Sequence, residues 1–202
     1  MSDDILELTP VQMDALREIG NVGAGNSATA LSQIINHRID MNVPQVSIVP
    51  LGDVPDLVGG PDVMVVGVFL RVYGSAPGNI LFLLPAESAF YLVDMLMGKK
   101  HGETKNLDFM DESALMEIGN ILAGAYLNAL FNLTKLSLLP SIPALAVDMA
   151  GAILSVVLIQ LGQMGDHALV IETEFTTDEE GIKGHFFLAV SYTHLTLPTS
   201  DL

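Results

Sequence analysis

The sequence word EIGN occurs at 18–21 and again at 117–120, and it belongs to a longer match. At an offset of 99 residues, Ala15, Leu16, Ile19, Gly20, Asn21, Ala24, Gly25, Ala30 and Leu31 fall on identical residues, from Ala114 to Leu130. Pro44 falls on Pro143. Identity spread over a helix-length segment and on to a distant proline points to an internal duplication. The chain is therefore expected to fold as two similar halves, at about 9–98 and 108–189, within one unit spanning 1–189.

The halves follow one plan. Residues 62–84 and 151–175 each read as strand, turn, strand, and IKGHFFL (182–188) reads as another strand. In the first half the strands lead into a helix opened by Pro85 and closed by Gly98. The second half ends instead in AVSYTHLTLPTSDL, which has no helical period. Residues 190–199 resemble the in-frame translation of a sequencing-library adapter. The segment 190–202 is accordingly read as non-native, standing where a last helix is expected. The apolar stretch 144–161 is interrupted by Asp148, Ser155 and Gln160 and precedes a turn-like GQMGD. Its Val/Ile content predicts a buried strand rather than a membrane span.

Half the residues are apolar and 16% are charged, so a folded domain is expected. The formal net charge of −16 argues against phosphate backbones and anionic membranes as partners. With no Cys, the chain has no disulfide, thiolate chemistry or Cys-based zinc site. MSDDILELTP lacks the basic start and apolar run of a signal peptide, which fits a cytoplasmic protein.

Thr9, Pro10 and Gln12 predict a helix start, with the helix running to about residue 35. The second motif helix is expected from about Asp108 to about Asn132. On the first helix Asp14, Glu18, Asn21 and Gly25 share one stripe; on the second, Ser113, Glu117, Asn120 and Gly124 do so. Leu16, Ile19, Leu31 and Ile34 lie off the stripe and are expected to face a sheet. Gly20, Gly23 and Gly25 each cost a helix interior roughly 1 kcal/mol relative to Ala. Two causes fit: close packing of helix on helix or sheet, or a shallow surface that another protein must approach. An Asn has no useful pKa but can position a water, and phosphoryl transfer is a reaction dominated by positioning. The five His residues are scattered, and the chain has no P-loop and no nucleophile elbow.

Asp14-x3-Glu18-x2-Asn21 with Pro44, and Ser113-x3-Glu117-x2-Asn120 with Pro143, resemble the signature of the CheC/CheX/FliY phosphatases of bacterial chemotaxis. The resemblance covers residues from about 5 to 189. It implies hydrolysis of the aspartyl phosphate on the response regulator CheY. Asn21 and Asn120 would orient the attacking water, and Glu18 and Glu117 would hold the regulator. The family has no cofactor of its own; the regulator supplies Mg²⁺. Two motifs occur in the CheC and FliY branches and one in CheX, and the short segment before the first helix favours the CheC branch. CheC proteins also bind CheD, and Asp148 matches an acidic residue of that contact; a strand-end Asp in a turn explains it equally well. The resemblance implies an α/β (α+β) fold with an internal pseudo-two-fold, a largely antiparallel sheet covered by the two motif helices. The competing function is a CheD adaptor, or a flagellar switch component, that docks CheY with little turnover.

Overall fold

The computed structural model describes residues 9–35, 38–43, 45–161, 167–176 and 181–190. Pro44, the GQMGD turn and residues 191–202 lie outside them. Helix α1 spans Pro10–Ile35. Thr9 and Gln12 close the expected reciprocal cap: the Thr9 N–H donates to the Gln12 side chain at 2.9 Å, and the Gln12 N–H donates to the Thr9 hydroxyl at 3.3 Å. Strands β1 (Asp40–Asn42) and β2 (Val46–Pro50) follow, then a 3-10 turn and the short helix α2 (Val54–Leu57). The hairpin β3 (Met64–Gly74) and β4 (Gly78–Pro85) leads into α3 (Ala86–Leu96). Gly98, at φ +63°, takes the left-handed turn after α3, as a helix-ending glycine does. The second motif helix, α4, is Phe109–Thr134. Strands β5 (Leu138–Pro140) and β6 (Ala144–Met149), helix α5 (Ala150–Leu161), and strands β7 (His167–Thr176) and β8 (Gly181–Val190) complete the described chain.

The eight strands of the described residues form one antiparallel sheet in the order β1-β7-β8-β4-β3-β5, with β2 also on β7 and β6 also on β3. The edge strands of each half therefore pair with a long strand of the other half. Asp40 faces Thr176, and Val66 faces Val147. β4 and β8 meet at the centre, with Leu81 opposite Phe187.

β4 is buried along nearly its whole length because both sheet faces are covered. Ile80, Phe82 and Leu84 point into the larger core under α1, α3 and α4. Leu81 and Leu83 point into a second core with Val54, Ala150, Ile153 and Leu154, under α2 and α5. This second layer corrects the expectation that 144–161 is one buried strand. Only 144–149 is strand, mostly exposed, and 150–161 is helix. Ala150, Ile153 and Leu154 carry the helical i, i+3, i+4 spacing that buries one face, while Val156 stays 60% exposed. β-branched residues gave a strand-like composition to a helix that packing stabilises.

The motif helices pack as expected, with one exception. Leu16, Ile19 and Leu31 are buried. Ile34 shares their side of the helix but lies in its last turn and is 54% exposed. By length and composition, α4 alone among the described residues could cross a bilayer. In this fold ten of its residues are buried, among them Leu115, Ile118, Leu122 and Leu127.

Candidate functional site

The glycines of the motif helices divide into two kinds. A Cβ on Gly20 would meet Val43, Val46 and Ile171. One on Gly119 would press on Val68, and one on Gly23 would enter the ring of Tyr126. These three positions are small because α1, α4 and the sheet approach closely. Gly25 and Gly124 differ: a Cβ on either would meet nothing within 4 Å. Both candidate causes of the glycine content are thus present, at different residues.

The open pair lies on the two polar stripes. Glu18, Asn21 and Gly25 are exposed on α1, as are Glu117 and Asn120 on α4. None of the four Glu and Asn side chains makes a hydrogen bond or ion pair with another described residue. Each helix therefore presents a carboxylate and an amide three residues apart, facing solvent, beside a glycine that adds no bulk. Asp14 is also exposed and is paired with Arg17 at 3.5 Å. Ser113, its counterpart, is half-buried.

The start of α4 is fixed by a polar network that the motif spacing did not reveal. Asp108 caps the helix, accepting from the N–H groups of Met110 (2.8 Å) and Asp111 (2.9 Å). The Asp111 carboxylate accepts in return from the Asp108 N–H at 3.2 Å. The buried Asp111 also pairs with Lys99 at 2.7 Å, and this carboxylate holds the Lys99 ammonium above its ordinary pKa. Asp94 ties down the connecting loop, accepting from the N–H groups of Gly102 and Thr104. Burial opposes its charge, but hydrogen bonds from Thr104, Gly102 and Glu103 outweigh that and hold its pKa below the usual value. The Asp108–Asp111 spacing was the available signal for this network.

Asp148 lies apart from both stripes, next to last in β6. It is exposed, and its carboxylate accepts from the Met149 N–H at 2.8 Å. It lines a groove of about 270 Å³ with Gly67, Phe69, Val147, Ile153 and Val156. A wider groove, about 1020 Å³, runs from Gly25 past Thr29 and Ser32 to Arg38 and Asp40. Among the described residues no group of three or more His, Asp or Glu is placed to hold a metal ion.

Two helices carrying exposed Glu–Asn pairs over one antiparallel sheet define a protein class. The CheC-like family model matches residues 11–48 and 110–146, the two motif segments, and the chain belongs to that family. It is 43% identical to the CheY-P phosphatase CheC of Bacillus subtilis, over 90% of this chain and 88% of that protein. It is 29% identical to the flagellar motor switch phosphatase FliY of the same organism, over 60% of this chain but only 32% of FliY. Among solved structures, Thermotoga maritima FliY superposes with a TM-score of 0.75 at 23% identity, covering 94% of each chain, which supports the fold.

Proposed function

We propose that this chain accelerates hydrolysis of the aspartyl phosphate on CheY. The observation that carries this reading is the exposed Glu–Asn pair, without a side-chain partner among the described residues and beside an open glycine, present on both α1 and α4. Similarity to a CheY-P phosphatase over most of the chain supplies the substrate. Glu18 and Glu117 each hold the regulator through a cation beside its phosphorylation site. Asn21 and Asn120 each reach the phosphoryl group, and the amide oxygen accepts a hydrogen bond from a water. The water's oxygen attacks phosphorus, the bond to the aspartyl oxygen breaks, and inorganic phosphate and a free carboxylate result. Holding the water in line saves the entropy of recruiting it from bulk. Mg²⁺ comes with the regulator and neutralises phosphoryl charge. Asp14 and Ser113 flank the pairs as the remaining motif positions.

The same reading takes the halves as copies of one unit, each with its own site, and places the protein in the cytoplasm with its substrate. The exposed Asp148, on the edge strand β6 beside an apolar groove, is proposed as the contact for CheD. An adaptor or switch component would use the same faces to hold CheY without turnover. To separate the two, phosphate loss from phosphorylated CheY with Mg²⁺ is followed with the parent chain and with Asn21→Ala/Asn120→Ala. Acceleration by the parent that falls to the regulator's own rate in the folded double variant is expected. Equal rates with both chains would replace the phosphatase by the adaptor.

A further inference from the structure

We propose that Phe109 is an apolar docking anchor that belongs to the α4 site alone, making the two sites unequal in affinity. The inference rests on the reading of the Glu–Asn pairs as CheY-binding sites. Phe109 is the first residue of α4 and is 77% exposed, and it belongs to neither core. On a helix it stands in line with the stripe: Ser113 is one turn on, and Asn120 is three turns on. The rise from Phe109 to Asn120 is about 16 Å. That lies within a typical contact patch of about 800 Å² per partner. A regulator gripped at Glu117 and Asn120 and extending toward the start of α4 would also cover Phe109.

The turn that carries this ring is held firmly. Asp108 caps it, and the buried Asp111–Lys99 pair pins its inner side. The backbone that carries the ring is thus ordered before binding, which leaves only the side chain's own rotamers to be fixed. On α1 the matching position, 99 residues earlier, is Pro10, so that site has no aromatic there. Phe, with the other aromatic residues, is enriched in protein interfaces relative to the rest of the surface. The occupant is the phosphorylated regulator, with an apolar patch beside its phosphoaspartate to receive the ring.

The test isolates each site in the full chain. Glu18→Ala/Asn21→Ala leaves only the α4 site, and Glu117→Ala/Asn120→Ala leaves only the α1 site. CheY is used phosphorylated for turnover and activated with beryllofluoride and Mg²⁺ for binding. With only the α4 site active, Phe109→Ala raises both KM and Kd about tenfold with kcat unchanged, and Phe109→Tyr restores both. With only the α1 site active, Phe109→Ala changes nothing. Equal losses in both backgrounds, a fall in kcat alone, or no change in Kd would overturn the proposal. If the parent shows no turnover, the phosphatase reading falls, and the Kd measurements still decide the role of Phe109.

Discussion

Gly25 and Gly124 weaken their helices although a Cβ at either would meet nothing within 4 Å. Replacing both by Ala should raise stability by about 1 kcal/mol per site, because helix propensity improves and no atom is displaced. On the proposed reading the same variant should hydrolyse CheY-phosphate more slowly, since two methyl groups would stand where the regulator is proposed to approach. Thermal unfolding and phosphate release on one preparation check both halves of this prediction; a more stable variant with full activity would leave the two glycines unexplained. The stripe of Glu, Asn and Gly was legible from spacing alone, because helical geometry fixes which residues share a face. Which glycines pack and which stay open was not legible. That depends on Tyr126 and Val68 lying opposite, a fact of tertiary structure.

Between elements, Tyr126 is the joint where α4 meets both α1 and the sheet. Its ring lies against Gly23, stacks on Phe186 at 4.3 Å between centroids, and its hydroxyl meets Thr173 at 3.4 Å. Burial pushes its pKa up to about 12, with the Thr173 hydrogen bond acting in the opposite sense. An unfolded Tyr ionises near pH 10, so between about pH 10 and 12 the unfolded chain loses a proton that the folded chain keeps. Stability should therefore be unaffected by this group below pH 10 and fall by about 2–3 kcal/mol across that window. Denaturant unfolding at pH 9 to 12 should show a shallower fall for Tyr126→Phe. Lys99, whose pKa the Asp111 carboxylate raises, is common to both chains, and the comparison with the Phe variant removes its contribution. The caps of α1 and α4 could be read from Thr9–Gln12 and Asp108, as local side-chain patterns. Helix α5 could not: its apolar residues suit strand and helix alike, and a second sheet face needing cover decides between them.

At the scale of the whole molecule, the exchange of edge strands makes the halves inseparable. Among the described residues, β1 and β2 have their ladder partner only in β7, and β5 and β6 only in β3. A fragment ending near residue 107 should therefore show little cooperative unfolding and exposed apolar surface, although it contains one complete Glu–Asn motif. Circular dichroism and dye binding on that fragment give the answer; a sharp, reversible transition would contradict it. The sequence repeat marked the two motif segments, which the family model also matches. It did not reveal that the halves trade strands, because pairing between distant segments leaves no local pattern.

That exchange also sets a schedule for synthesis. Asp40 must wait for Thr176, and Val46 for Ile171, before either has a partner in the sheet. At a ribosomal rate of ~5–20 residues per second, the wait is on the order of ten seconds. During it, the first Glu–Asn helix exists on a nascent chain whose sheet is still open at the edge. Neither proposed site has its finished sheet beneath it until nearly all of the described chain has emerged, so a ribosome stalled midway should leave no half-active product behind.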